Sequence, residues 1–313
     1  MMNKNIPEPL KHQKGGSKDI NTIKKNIDQN TMARGQKHRG KERKMESDHY
    51  QEVIIKRIDG TFRNADDILQ LAIHEGKGQI ERPILGLLLS SVAAGMIIGF
   101  TVLAVAIMTS VLGDIEGINR VLVALVYPLG FVLCILSRTQ LFTEHTATAV
   151  YPLLDGESNV GGVLKLWLVV ILGNLGGGFI IAALLNAAES VIDAKQGYLI
   201  IAEHVLEYSS ASLFASAILA GWLMAIGAWT ILSTHSTSSQ ILCIYVTTFL
   251  IGMGGLHHSI AGSVELIVGF LMSPSITFMS IAPVIGVMLL GNAVGGSVFV
   301  ALLNYGHIRG LNK

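Results

Sequence analysis

Positively charged residues are scarce over most of this chain. Of its 23 Lys and Arg residues, 17 lie in residues 1–82, and residues 83–305 contain only four. These four are Arg120, Arg138, Lys165 and Lys195. Charged residues make up 14% of the sequence, well below the roughly 25% that is typical of soluble domains. The composition excludes an ordinary soluble domain and indicates a chain embedded in a lipid bilayer, with no nucleic acid partner.

Several motifs of other membrane proteins are also missing. The two cysteines, Cys134 and Cys243, lie within apolar runs, which argues against a disulfide framework. The paired Asn-Pro-Ala signatures of water and glycerol channels are absent, and no His-x-x-His or His-x-x-x-His spacing is available for a metal site. A channel for small neutral solutes and a membrane enzyme with a histidine-bound metal remain as alternatives. We predict that the protein is not an enzyme and uses no cofactor or metal.

The polar N-terminal part divides into two segments. Residues 1–61 are basic and contain no apolar run of the kind that a cleavable signal peptide has. We expect them to form a disordered cytoplasmic arm. Residues 62–82 carry a short apolar face that includes Leu69 and Ala72, and Asn64 stands where a helix cap is expected. This pattern predicts an amphipathic helix lying at the membrane surface before the first span.

Long apolar runs fill the rest of the chain. A helix needs about 20 apolar residues to cross a bilayer, and six runs are long enough. They are 84–111, 119–153, 163–187, 209–232, 239–271 and 279–305. The second and fifth are too long for one helix and are interrupted by polar residues near their middles. We predict an all-α membrane protein in which residues 83–306 form a six-helix transport domain and residues 307–313 form a cytoplasmic tail.

The two halves of this domain repeat each other. The segment "GNLGGGFIIAALLN" (173–186) matches "GNAVGGSVFVALLN" (291–304) at eight of fourteen positions. The segment "SSVAAG" (90–95) also resembles "SAILAG" (216–221). The polar breaks of the two halves lie between these matched segments and form a third match. Three matches in the same order indicate that the sequence is duplicated.

Each repeat, 84–187 and 209–305, contains three spans, so the second copy enters the membrane from the opposite side. An inverted 3+3 repeat with one broken helix in each copy is the arrangement in which transporters build a site at the membrane midplane. Six spans return the chain to its starting side, and the basic residues concentrate on that side. We therefore place both termini in the cytoplasm.

The two interruptions, "LSRTQLFTEHT" (136–146) and "GMGGLHHS" (252–259), hold the polar residues of the broken spans. Non-helical backbone survives in a membrane only inside protein or beside a wet cavity, and helix ends at a break favour an anion. Insertion of a charged residue such as Arg138 near the middle of a membrane costs free energy. We expect it either to pair with Glu144 as a buried brace or to bind an anion inside a pore.

Histidines next to hydroxyl residues mark both breaks, as His145-Thr146 and His258-Ser259. This symmetry favours a functional role over a pair that only forms helix-packing hydrogen bonds. Adjacent residues point in different directions, so we expect only one of His257 and His258 to face the site. We choose His258 because it is the apparent symmetry mate of His145.

Three further polar residues stand near the breaks. Lys165 opens the third span, where its long side chain can snorkel to the interface. Asn174 and Asn292 occupy matching positions in the two repeats, and we expect their amides to brace the broken segments. The neighbouring glycines are spaced as GxxxG, which predicts close helix packing.

Together these residues resemble the formate/nitrite transporter family. The resemblance rests on "QLFT" at the first break, the Lys-x-Trp run that ends in Gly-Asn (165–174), "HHSIA" at the second break and the late "GNxxGG". It covers residues 84–305 in order and at compatible spacing. It implies an aquaporin-like fold and a homopentamer with one pore in each subunit.

The resemblance also implies roles for particular residues. His258 matches the central pore histidine, and Lys165 matches the lysine that draws anions toward the pore. Thr143, which follows Leu141 and Phe142, matches a threonine that faces the pore, and Phe142 is a candidate for an apolar constriction.

The sequence departs from the usual pattern of that family at several positions. Arg138 replaces a small residue and Gln140 replaces a glutamate. His257 stands where a glutamate usually precedes the central histidine, Gly262 stands where an asparagine usually follows, and the Glu-His pair at 144–145 is uncommon. The chain therefore resembles a divergent branch, whose substrate need not be formate or nitrite.

We expect a channel or transporter in the inner membrane for small monovalent anions of weak acids or their conjugate acids. A bare anion in a dry constriction faces a large desolvation penalty that the neutral acid avoids. Histidine changes its charge in the physiological pH range, so His258 is expected to donate or relay the proton.

Overall fold

The computed structural model describes residues 63–310, and the secondary structure of this part contains helices and no strand. The basic arm, residues 1–61, and the end of the C-terminal tail lie outside the described residues. In chain order the helices are α1 (Ala65–Ile80), α2 (Ile84–Leu112), α3 (Gly117–Val126), α4 (Pro128–Leu136), α5 (Phe142–Thr148), α6 (Val150–Leu154), α7 (Val160–Ala187), α8 (Glu189–Ile192), α9 (Lys195–Leu206), α10 (Ser210–Ser233), α11 (Thr237–Gly254), α12 (Ser259–Met272), α13 (Phe278–Gly296) and α14 (Leu303–Gly310), with a π-helical segment, Ser297–Leu302, between the last two.

Six helical stretches between residues 63 and 310 are long and apolar enough to cross a membrane, which confirms the predicted number of spans. They are α2, α3 with α4, α7, α10, α11, and α13 continued through α14. α12 is a shorter apolar helix that follows α11 after the second break.

α1 is amphipathic, as predicted. The side chain of Asn64 caps it by accepting a hydrogen bond from the main-chain N–H of Asp67 at 2.9 Å. Leu69 and Ala72 are fully buried in a cluster that also contains Tyr151 of α6. The apolar face of α1 therefore packs on protein, and its position at the membrane surface stays a prediction.

Equivalent helix pairs form the two repeats. α2 packs along α7 in the first repeat, and α10 packs along α13 in the second. Gly177 and Gly295 permit these contacts, because an added Cβ would overlap the main-chain carbonyl oxygen of Val92 or Ile218 on the neighbouring helix. The close packing that the GxxxG spacing predicts is therefore present in both copies.

Both broken spans are interrupted over fewer residues than the sequence suggests. The first break covers residues 137–141 and the second covers residues 255–258. Arg138 and Gly255 have left-handed backbone, with φ of 57° and 58°. This conformation costs an arginine about 1–2 kcal/mol and costs glycine little. The Glu-His pair at 144–145, predicted to lie in the break, is helical.

α9 lies in residues 188–208, between the two predicted repeats. Its apolar residues recur with helical spacing at Tyr198, Ile201, Ala202 and Val205. These residues are buried, and α9 packs against α2 and α12. The helix folds back over the membrane-spanning helices and forms one wall of the cavity described below.

Candidate functional site

The side-chain amide of Asn174 ties the first break to the neighbouring helices. Its Oδ1 accepts a hydrogen bond from the main-chain N–H of Phe142 at 2.9 Å, and its Nδ2 donates to the carbonyl oxygens of Gln140 and Ser91 at 2.8 Å. Asn174 is fully buried, so water does not compete for these bonds. The bonds to Phe142 and Gln140 satisfy main-chain groups that the interrupted helix leaves without helical partners, and the bond to Ser91 links the break to α2.

Asn292 makes the matching contacts at the second break. Its Oδ1 accepts from the main-chain N–H of Ser259 at 2.8 Å, and its Nδ2 donates to the carbonyl oxygens of His257 at 3.0 Å and Ala217 at 2.7 Å. The two amides therefore brace the two breaks with the same three-bond pattern, as their matching positions predict.

These hydrogen bonds fix the correspondence between the repeats, and they show that the predicted pairing of His145 with His258 is wrong. Phe142 and Ser259 are equivalent, because each gives its N–H to the bracing amide. The residue before each of them is Leu141 in the first repeat and His258 in the second. The sequence match between two histidines in short polar segments suggested an alignment of the repeats that differs from the one given by these hydrogen bonds.

His258 caps α12 with its own side chain. Its Nδ1 accepts a hydrogen bond from the main-chain N–H of Ala261 at 3.2 Å. Its Nε2 lies 2.7 Å from the hydroxyl oxygen of Thr143, and both side chains are buried. Since Nδ1 is the acceptor, a neutral ring carries its proton on Nε2 and donates it to Thr143. The ring of Phe131 packs almost perpendicular to the imidazole, with centroids 4.8 Å apart.

Two apolar residues precede Thr143 in the chain, Leu141 at the end of the first break and Phe142 at the start of α5. Leu141 and Phe142 are buried, and the ring of Phe142 meets Trp167 edge-on with centroids 5.9 Å apart. The indole N–H of Trp167 donates to the carbonyl oxygen of His145 at 3.0 Å, and the Nδ1 of His145 lies 3.4 Å from the hydroxyl of Thr148. The Nε2 of His145 is buried and has no hydrogen-bond partner among the described residues.

A cavity of about 370 Å³ lies against His258. It is lined by residues of α3, α9, the second break and α12, among them both His257 and His258. The prediction that only one of the two histidines faces the site is therefore wrong. His257 is held by Ser216, whose hydroxyl lies 2.8 Å from Nδ1, and by the perpendicular ring of Tyr208, with centroids 5.1 Å apart.

Arg120 and Glu265 place two ionisable side chains at this cavity, and neither is predicted as a site residue from the sequence. Arg120 lies over the second break beside Gly255, where a Cβ would stand 2.6 Å from the guanidinium Nη2. Glu265 is the single acidic residue of α12. The signal that marks both is their rarity, since an isolated charge in an apolar run is a functional candidate.

Of the predicted site residues, His257 and His258 line this cavity and the other nine do not; Lys165, Arg138 and Glu144 are three of these nine. Lys165 is exposed on α7. The Arg138 side chain is 78% exposed and forms an ion pair with Glu75 of α1 at 3.9 Å, so the predicted buried brace with Glu144 is wrong. Burial raises the pKa of Glu75, and Arg138 partly opposes that shift. Glu144 lines a separate, smaller cavity with residues of α10 and α11.

Two inverted halves that meet at interrupted helices are the architecture of channels and transporters, and the protein is a multi-pass membrane protein of that class. A family model described as "Formate/nitrite transporter" matches residues 66–306. The chain belongs to the formate/nitrite transporter family.

Individual relatives agree with this assignment. The chain is 34% identical over 249 residues to "Inner membrane protein YfdC" of Escherichia coli (strain K12), a match that covers 76% of this chain and 79% of that protein. A solved structure described as "FNT family ion channel" aligns with a TM-score of 0.68 and 21% identity over 78% of this chain and 98% of that one. Another, "Pentameric formate channel with formate bound", aligns with a TM-score of 0.63 and 21% identity over 72% and 97%. The predicted family and fold are confirmed.

Proposed function

We propose that the protein carries small monovalent anions of weak acids, of the formate or nitrite kind, and that they pass the constriction as neutral acids. Membership of the family supports transport. A structural relative described as a formate channel with formate bound supports the size and charge of the substrate. The observation that carries the proposal in this chain is the buried Thr143–His258 pair beside a cavity.

Arg120 supplies the positive charge that draws an anion into the cavity. A fixed cation in a cleft with apolar walls raises the local concentration of anions. The guanidinium lies beside the second break and lines the same cavity as His258. In this proposal Arg120 takes the role that the family resemblance gives to Lys165.

The buried apolar residues that precede Thr143 support passage of the neutral acid. Leu141 and Phe142 offer a permeating anion no compensating charge, and burial of an unpaired charge is far more costly than burial of a hydrogen-bonded neutral group. Because Thr143 receives the proton of His258 Nε2, its own hydroxyl proton is available for an oxygen of the permeating acid.

We further propose a homopentamer in the inner membrane with both termini in the cytoplasm. A relative described as pentameric supports the assembly, and one named as an inner membrane protein supports the location. Large apolar side chains are exposed on α2 and α7, among them Leu89, Leu168 and Leu172, and these surfaces suit contact with lipid or neighbouring subunits. The concentration of Lys and Arg in residues 1–82 supports the orientation.

The proposal is tested with purified full-length protein in liposomes. Uptake of labelled formate, nitrite, acetate and lactate is measured between external pH 5 and pH 8, and protein-free liposomes give the passive leak. We expect protein-dependent uptake of at least one acid that accelerates as the external pH falls. Swelling in glycerol without uptake of any acid would instead identify a channel for neutral solutes and reject the proposal.

A further inference from the structure

A carboxyl group shares the cavity with His258, and we propose that Glu265 is the residue that exchanges a proton with the permeating anion. The inference rests on the proposed function and names the acid that this function requires. Glu265 lies on α12 beyond His258 and Gly262, at spacings of four and then three residues, and all three line the cavity. Residues at these spacings share one face of a helix. The carboxyl therefore stands on the helix face that ends at the Thr143–His258 pair.

His258 itself is not arranged to deliver a proton. Its Nδ1 receives the N–H of Ala261, and a protonated ring has no lone pair at that nitrogen to receive it. Its Nε2 is already bonded to Thr143. A charged ring would also place a cation at the N-terminus of α12, where the helix dipole is positive. These contacts give His258 the role of a neutral hydrogen-bond donor instead of the proton relay that the sequence suggests.

The other charged or titratable side chains that face the cavity suit the exchange less well. They are Glu116, Arg120, Tyr127, His204, Tyr208 and His257. Arginine keeps its proton in proteins, and phenols are weak acids. The two histidines are engaged, since His204 Nε2 lies 2.7 Å from the hydroxyl of Tyr208 and His257 Nδ1 is bonded to Ser216. Glu116 is exposed and precedes α3.

The proton balance of the step is simple. The carboxylic acid of Glu265 gives its proton to the anion held near Arg120, so that the anion becomes a neutral acid and Glu265 becomes a carboxylate. A proton from the external solution, passed through water in the cavity, then returns Glu265 to its acid form. For a carboxylate substrate the same functional group loses and gains the proton, so the transfer is close to balanced in free energy. One proton crosses with each anion and is released in the water on the far side.

The experiment compares the wild type with Glu265→Gln in liposomes. Uptake of labelled formate and the accompanying proton influx, reported by a trapped pH-sensitive dye, are recorded from external pH 5 to pH 8. The glutamine keeps the size of the side chain and lacks the acid proton. We expect formate uptake near pH 6 to fall about a hundredfold, as for loss of a general acid, and its pH dependence to flatten. Glu203→Gln changes an exposed carboxyl of α9 outside the cavity lining and serves as the matched control, with unchanged uptake.

Two further variants keep the comparison decisive. Glu265→Asp restores a carboxyl on a shorter side chain, and we expect the pH dependence to return at a lower rate. Glu265→Ser provides a second variant without a carboxyl, should the glutamine variant assemble poorly. A carboxyl-free variant that keeps the wild-type pH profile, at full or reduced rate, would overturn the role of Glu265 and leave the proposed function intact. A wild-type protein that takes up neither formate nor nitrite at any pH would reject the proposed function instead.

Discussion

The Nε2 of His258 lies 2.7 Å from the hydroxyl oxygen of Thr143, and this contact joins the two broken spans across 115 residues of sequence. Thr143 belongs to the first repeat and His258 to the second, so neither half of the protein contains the pair by itself. Because the other ring nitrogen caps α12, the imidazole is fixed in orientation. The position of the Thr143 hydroxyl is therefore set by both repeats together.

Replacement of Thr143 with Val keeps the shape of the side chain and removes its hydroxyl. The buried Nε2–H of His258 then has no acceptor, and we expect a loss of about 1–3 kcal/mol in the free energy of unfolding. Formate uptake should fall as well, because the permeating acid loses its hydrogen-bond donor. Thr143→Ser keeps the hydroxyl and is the control, with uptake close to that of the wild type. Both variants are compared by uptake into liposomes and by thermal unfolding in detergent, and wild-type uptake by the Val variant would contradict the proposed contact.

Replacement of Asn292 with Ala removes three hydrogen bonds from the second break. The buried N–H of Ser259 and the carbonyl group of His257 lose their partner, and the Ala217 carbonyl, inside α10, loses a second hydrogen bond, so we expect destabilisation by about 3 kcal/mol. Asn174→Ala should have a similar effect, since it removes the same pattern of bonds. Asn304, whose Nδ2 reaches only Tyr151 at 3.5 Å, provides the control variant Asn304→Ala. Unfolding in denaturant measures all three, and equal stabilities would show that the amides do not hold the breaks.

Substitutions of Arg120 and Lys165 test which of the two cations attracts the anion. Arg120 lines the cavity and Lys165 is exposed outside it. We expect Arg120→Gln to raise the formate concentration for half-maximal uptake about tenfold, which corresponds to roughly 1.4 kcal/mol of lost attraction. Lys165→Gln should leave that concentration unchanged. The reverse result would support the role that the family resemblance assigns to Lys165.

Glu75 gives a prediction about pH and stability. Burial raises its pKa in the folded protein above the ordinary glutamate value, so the folded state binds this proton more tightly than the unfolded state does. The stabilisation is present at low pH and is lost as the pH rises through the folded-state pKa. We expect the melting temperature of the wild type to decline relative to Glu75→Gln across that range.

The measurement is a pair of thermal unfolding curves at a series of pH values for each protein. Glu81→Gln, which alters an exposed carboxylate just after α1, is the control and should follow the wild type. Parallel pH profiles for the wild type and Glu75→Gln would show that the Glu75 carboxyl titrates alike in both states.

The spans and the bracing amides are predictable from sequence because they depend on local composition and on motifs that occur twice. The register of the breaks is not, because Asn174 and Asn292 fix it through hydrogen bonds to distant main-chain atoms. Arg120 and Glu265 lie far apart in the chain and share a cavity only after α3 packs against α11. Arg138 differs for a local reason: a left-handed turn inside an apolar run leaves its side chain exposed beside α1.

One imidazole both closes the first turn of α12 and presents a proton toward Thr143. A substitution of His258 that changes which solutes permeate therefore also removes the cap of α12. Few side chains can both accept the N–H of Ala261 and donate a proton to Thr143. The hydroxyl of Thr143 caps no helix, so an engineer who seeks altered selectivity with an intact scaffold has more freedom at position 143.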